Sequence, residues 1–485
     1  MCAAAAALSV SACGSTVQLQ TTATGPDGLT PSTTVDGSAG SVPGSSGSLS
    51  GGSVPGGSAH AGQASTSPVT SSRTSSTGSA PASSPGTSSG TGSRAPIRVG
   101  VMYETGTEQV ASAMGISGLT TGDTKAQAAA VFSWVNTHGG LGGHPVTPVY
   151  YGISATDMSN NADQAYQTAC TSLAQDGKVR FVTTILNLRP VAMPCFSKFG
   201  VGVLDDETGV SGATMAKHAR YLAAPGEFAM ERLLKNLADD LWARGWLKAS
   251  SKVGSFAYDD PDNTALVDGA LTEALAAHGL KITSKQRVSN DSSAISGASS
   301  VSLQFRSAGV DRVIPVGASP LFLMNAASSQ NYHPWYAMYS SFGPGALIES
   351  TAPKDQLANS AGVGWLPYLD IGAGTHPGPV STNESLCFAL MKGAGQASSS
   401  ATVKGIQVQV CNTLFYLKAM ADRLPAVPPD LFTAARPLIG TRFPSADTFR
   451  TDVTHRVDGA GGFRDLTYEQ GCSCYQYTSP VKDAL

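Results

Sequence analysis

Charge is scarce in this sequence. Only 13% of its residues are Asp, Glu, Lys or Arg, and they almost cancel, to a net −3, so there is no basic footprint for nucleic acid. Long apolar runs are missing too. Past the N-terminal leader nothing approaches the ~20 consecutive apolar residues that a membrane-spanning helix needs. Aromatic residues, 7% of the whole, are absent between residues 14 and 93, where Ser, Thr, Gly, Pro and Ala take almost every position. Such a stretch cannot bury enough apolar surface to offset the entropy of ordering it, so residues 14–95 are expected to be a disordered tether. A coil of ~80 residues has a mean span of about 50 Å.

Catalytic signatures are missing as well. There is no HExxH, no GxSxG and no GxGxxG after a strand, and the run from Gly118 to Gly122 lacks the Lys of a phosphate-binding loop. The eight histidines include no spaced pair with a carboxylate. His138 and His144 belong to a glycine turn and His278 ends a helix, so capping and surface roles account for them better than catalysis. The expectation is a protein that is not an enzyme, with no cofactor and no metal.

What is present is a repeated alternation of helix and strand. In 125–151 (KAQAAAVFSWVNTHGGLGGHPVTPVYY) Ala128, Ala129, Val131, Phe132 and Val135 recur at helical spacing. Asn136 and Thr137 weaken the helix and Gly139 and Gly140 end it, because glycine takes the left-handed cap without steric penalty. Gly142 and Gly143 turn the chain, and Pro145 opens 146–151, a β-branched and aromatic run that reads as a strand. Around this unit the pattern predicts strands at 97–102, 179–185 and 201–204 with helices at 161–173 and 190–199. After a break near 221–225 and a long amphipathic helix at 226–245, a second series follows. Its strands are 252–257, 280–288, 311–316 and 335–339, and its helices 263–278, 294–307 and 320–329. A strand at 363–365 and helices at 384–392 and 403–423 come next. The fold class is α/β, with two doubly wound lobes.

The text VNTHGGLGGHPVTPVYYG closely resembles the signature of type I periplasmic solute-binding proteins, the leucine/isoleucine/valine-binding family, and the resemblance runs in order from about residue 96 to 477. It implies two Rossmann-like lobes joined by a hinge, 96–223 with 361–459 and 224–360 with 460–485. It also implies a small-molecule ligand between them, ABC permease subunits as partners, and a monomer. The family's cleft loops match Tyr103 and Glu104 after the first strand, Asn187 and Leu188 after the third, and Asp205 and Asp206 after the fourth. In the second lobe they match Tyr258, Asp259, Ser319 and Ser341. Where amino-acid binders carry small residues, this chain has Leu186 and Leu188, which would fill that pocket, so the amino-acid assignment does not transfer. Arg189 reads either as an anion contact or as a solvated helix start. Asp205 and Asp206 read either as partners for a cationic group or as helix caps, and the tyrosines as stacking groups or buried lobe-edge residues. The expected function is capture of a small polar molecule (an amino acid, amide or related compound) for an ABC importer. The alternative is a ligand-sensing or cell-envelope module without transport.

Export fits the leader. Residues 3–10 are apolar, and Val10, Ser11 and Ala12 precede Cys13 in a pattern that resembles a bacterial lipobox. This implies that Cys13 is lipidated and anchors the chain to the outer face of the cell membrane; an ordinary secretory signal is the other reading. Because no Lys or Arg precedes the run, 1–13 is expected to be a truncated signal with its basic region upstream. With Cys2 and Cys13 in the leader, the remaining six of eight cysteines are even in number, as in an exported disulfide set. Cys387 and Cys411 fall on neighbouring helices and form a reasonable pair; the resemblance implies Cys170 with Cys195. Cys472 and Cys474 either close a small ring or, less favourably, bind metal, for which two further ligands are wanting.

Overall fold

Helix Thr124–Thr137 starts where Asp123 accepts a hydrogen bond from the Ala126 N–H at 2.9 Å, a side-chain cap on an otherwise orphan donor. Ala128, Val131, Phe132 and Val135 are its buried stripe. Gly139 and Gly140 then take φ of 88° and 68°. A Cβ on Gly140 would stand 1.9 Å from the His144 carbonyl oxygen, so only glycine fits. Asn136 does more than weaken the helix. Its side chain donates to the Val146 carbonyl at 2.9 Å and accepts from the Val146 N–H at 2.7 Å, pinning the helix end to the first residue of the next strand. Lys418 donates to the carbonyls of His138 and Gly140, both at 2.9 Å, and seats the turn on helix Ala401–Asp422.

The computed structural model describes residues 94–113, 120–206, 209–291, 293–350, 352–371 and 381–484. The leader with Cys13, and the tether as far as residue 93, lie outside them, while Arg94 and Ala95 are hydrogen-bonded to Gly142 and His144 of the glycine turn. The first sheet contains β1 (Ile97–Thr105), β2 (Val146–Ser154), β3 (Phe181–Ile185), β4 (Gly202–Asp205) and β5 (Leu222–Ala223), all parallel in the order β2-β1-β3-β4-β5. The second contains β6 (Val253–Tyr258), β7 (Ile282–Val288), β8 (Arg312–Val316), β9 (Trp335–Tyr339), β10 (Ser360–Gly364), β11 (Gly462–Glu469) and β12 (Cys474–Tyr477). Its order is β12-β11-β10-β9-β8-β6-β7, and β13 (Lys482–Asp483) pairs with β11. Only β11 is reversed there, pairing antiparallel with β10, β12 and β13. β3 and β8 are buried at every position, as expected of parallel strands covered on both faces, and each sheet has an apolar cluster on either side.

Helix Ala155–Thr171 begins earlier than its apolar period suggests, capped by Ser154, and Asn161 interrupts it with non-helical backbone. β10 belongs to the second sheet, beside β9. The return to the first lobe therefore comes after residue 364, and not at 361 as the resemblance implied. Two disulfides join neighbouring helices of the first lobe. Cys170–Cys195 (Cα–Cα 6.3 Å) links Ala155–Thr171 to Ala192–Lys198, and Cys387–Cys411 (5.8 Å) links Thr382–Gly393 to Ala401–Asp422. Cys472 and Cys474 are bonded to each other.

The chain crosses between the sheets after β5, after β10 and before β11, and all three crossings converge. Ala224 pairs with Asp458, and Asp458 accepts from the Ala229 N–H at 3.0 Å and forms an ion pair with Arg232 at 2.6 Å. The Trp365 indole donates to the Gly226 carbonyl at 3.0 Å. The Gly226 N–H donates to Asp206 at 2.7 Å. A Cβ on Gly226 would lie 2.8 Å from the Asp447 carboxylate, and one on Gly459 would lie 2.3 Å from the Pro225 carbonyl oxygen, so the first and third crossings approach closely at glycine.

Candidate functional site

In parallel sheets the carboxyl ends of the strands collect ligands, because loops and helix starts converge there. Here those ends face each other across a cavity of about 580 Å³, lined from both lobes. The first lobe supplies Asn187 to Val191 after β3, Gly209, and Met158, Ser159, Ala162 and Asp163 on helix Ala155–Thr171, at its interruption. The second supplies Tyr258 at the end of β6, Asp260 to Asn263, Asn290 and Asp291 after β7, Gly317 and Ser319 after β8, and Ser341 and Phe342 after β9. Phe322 and Ile295 add apolar wall.

Two contacts run across the cleft. Arg189, from the first lobe, pairs with Asp163 at 2.7 Å. With its amide oxygen turned towards the guanidinium, Asn290 of the second lobe accepts from Arg189 Nη2 at 3.3 Å and from Nη1. The Thr214 hydroxyl donates to Asp262 at 3.3 Å. Burial holds the Asp262 carboxyl above its ordinary range, and the Thr214 hydrogen bond opposes this. Burial likewise pushes the Tyr258 phenol up, against a hydrogen bond from the Ser319 N–H and the charge of Arg189. Asp260 caps helix Pro261–Leu266, accepting from the Asn263 N–H at 2.9 Å and from its amide at 2.7 Å. The lining is therefore a set of engaged polar groups on apolar walls, which fixes their directions before anything enters.

Of the residues singled out in the sequence, Asn187, Leu188, Tyr258, Ser319 and Ser341 line this cavity. Leu186 does not obstruct it; that side chain packs in the core of the first lobe. Tyr103 packs against the first lobe's other core cluster. Glu104 is half-buried beside Thr107, its carboxyl raised by burial. Neither lines the cavity. Asp259 is exposed, tied by its N–H to the Val288 carbonyl. Asp205 and Asp206 are 0% and 1% exposed and sit beneath the crossings, where Asp206 also accepts from Asn412 at 2.9 Å. They belong to the hinge. Arg189 is a wall of the cleft and not a solvated helix start. Asn290 and Asp291, missed in the sequence, follow β7 and were open to the same strand-end reasoning.

No protein-family model and no curated protein matches the sequence. Solved structures do share its fold. An ABC-transporter solute-binding protein from R. palustris in complex with 4-hydroxybenzoate has a TM-score of 0.59 and 15% identity, covering 80% of this chain and 98% of that one. A substrate-binding protein from Desulfitobacterium hafniense in complex with Leu has a TM-score of 0.53 and 12% identity, covering 79% and 99%. The branched-chain amino acid transporter substrate binding protein LivJ from Streptococcus pneumoniae, in complex with isoleucine, has a TM-score of 0.54 and 12% identity, covering 80% and 99%.

Proposed function

We propose that this chain, built on the type I periplasmic binding-protein fold, is an extracytoplasmic solute-binding lipoprotein. It captures one small polar molecule between its lobes without turnover and hands it to an ABC importer. The observation that carries this reading is the cavity of about 580 Å³ walled by strand ends of both lobes, a size typical of small-molecule sites. The solved relatives, described with 4-hydroxybenzoate, Leu and isoleucine, supply the class of ligand. Tyr258, Phe322 and Phe342 offer apolar faces, and Asn187, Arg189, Asn290 and Ser319 offer polar groups at the rim and floor.

A hinge of three crossing segments lets two rigid lobes close on a ligand. Closure excludes water and strengthens each hydrogen bond inside. Thermal-shift screening of the folded part from residue 96 against amino acids, amides and aromatic acids is the test. One class should raise the melting temperature in a concentration-dependent way; a flat response across all of them would count against solute capture. The lipid anchor at Cys13 is tested separately. A tagged full-length chain should incorporate a palmitate analogue and partition with membranes, and Cys13→Ala should lose both.

A further inference from the structure

The hairpin β11–β12 carries a bridge that closes almost no loop. Cys170–Cys195 and Cys387–Cys411 tie helices 25 and 24 residues apart in sequence, and Cys170, Cys387 and Cys411 are fully buried. Cys472–Cys474 spans a separation of 2 residues. The chain entropy that a cross-link removes grows with the loop it closes, so this bridge constrains the unfolded chain least. It sits in the open: Cys472 is exposed and Cys474 half-buried, at the hairpin tip, where Glu469 faces Cys474. The Gln476 amide donates to the Cys472 sulfur at 3.4 Å and to the Cys474 sulfur at 3.6 Å. β11 runs antiparallel to β10, with Ala361 opposite Thr467 and Gly364 opposite Arg464. The tip therefore lies at the edge of the second sheet opposite the strand ends that wall the cleft.

We infer that Cys472–Cys474 is a reversible thiol–disulfide exchange site for low-molecular-weight thiols, independent of the cleft. The thiolate of a small thiol attacks the exposed Cys472 sulfur. The S–S bond breaks and its electron pair leaves on Cys474, next to the Gln476 donor, and that thiolate takes a proton from solvent. The product is a mixed disulfide on Cys472 and a free Cys474 thiol. Return attack by the Cys474 thiolate on Cys472 expels the small thiol and restores the bridge. Alternatively, a second small thiol attacks the mixed disulfide, leaving two protein thiols and one small-molecule disulfide. Access decides which protein disulfide reacts, since exchange requires the attacker to reach a sulfur in line.

The test incubates the folded protein with reduced glutathione, quenches with iodoacetamide and maps the alkylated peptides. Cys472 and Cys474 should be alkylated about tenfold or more faster than the four helix cysteines, with the melting temperature unmoved. Cys474→Ser, which cannot expel the adduct, should accumulate one glutathione on Cys472 when given oxidised glutathione. Alkylation no faster than at Cys170 and Cys195, or no adduct on Cys472 in Cys474→Ser, would overturn the inference. Neither result bears on the cleft.

Discussion

Asp206 and Asp447 touch where the lobes join, both buried, and two carboxylates in such contact cannot both ionise cheaply. Asp206 accepts from the Gly226 N–H and from Asn412 and is the better-stabilised carboxylate, which favours the shared proton on Asp447. Burial and then the neighbouring charge of Asp206 push the Asp447 carboxyl well up, and burial raises Asp206 to about 6. Tyr416 and Arg436 stand nearby in the same region. A carboxyl whose folded pKa is raised binds more protons in the native state than when unfolded. Its contribution is complete below the unfolded value of ~3.9 and is lost as pH rises through the folded value. The melting temperature should therefore fall between pH 5 and pH 8, and Asp447→Asn, which keeps the donor without the titration, should flatten that slope. Asp370, raised by burial to about 7, and Asp206, raised mainly by burial, leave a residual slope of the same sign. An unchanged slope in Asp447→Asn would refute the shared proton. The position of this pair explains why Asp205 and Asp206 were ambiguous in the sequence. Whether a strand end faces the other lobe or the hinge depends on where the crossings run, and periodicity does not encode that.

Among the elements, the unit of helix Thr124–Thr137, glycine turn and β2 was the most legible, because glycine is the only residue that fits Gly140 and the apolar stripe is regular. β3 (FVTTI) and β8 (RVIPV) were legible as short runs rich in β-branched residues, which suit strands buried on both faces. Helix Gly212–Lys217 and the two-residue β5 were not, being too short for any period to show. Asn136 was read only as a weak helix former, because its worth lies in reaching Val146 ten residues on. That reach is testable. Asn136→Ala removes both hydrogen bonds to Val146 and leaves backbone groups at the start of β2 without partners, which costs ~1–3 kcal/mol. Asn136→Asp keeps the acceptor for the Val146 N–H and should fall between the two. Urea denaturation measures this, and a loss under ~0.5 kcal/mol, the range of an ordinary surface change, would show that the pin does not hold the turn.

At the scale of the molecule, two sheets of similar winding meet at three crossings and leave a walled space between their strand ends. The two-lobed plan was readable from the doubled alternation of helix and strand. The cleft was readable in part: Asn187, Tyr258 and Ser319 lie at or just beyond strand ends, while the role of Arg189 emerges only when Asp163 and Asn290 are brought to it from elements on either side. A ligand bound at micromolar affinity gains about 8 kcal/mol in all, and truncating one large buried contact in such a site removes ~2 kcal/mol or more. The most direct measurement is calorimetry of the ligand found by screening, on the native protein and on Tyr258→Ala. The account predicts one site per chain, an affinity about thirtyfold or more weaker in the variant, and a ligand recovered chemically intact. Equal affinity in the two proteins, or a ligand altered on incubation, would contradict it.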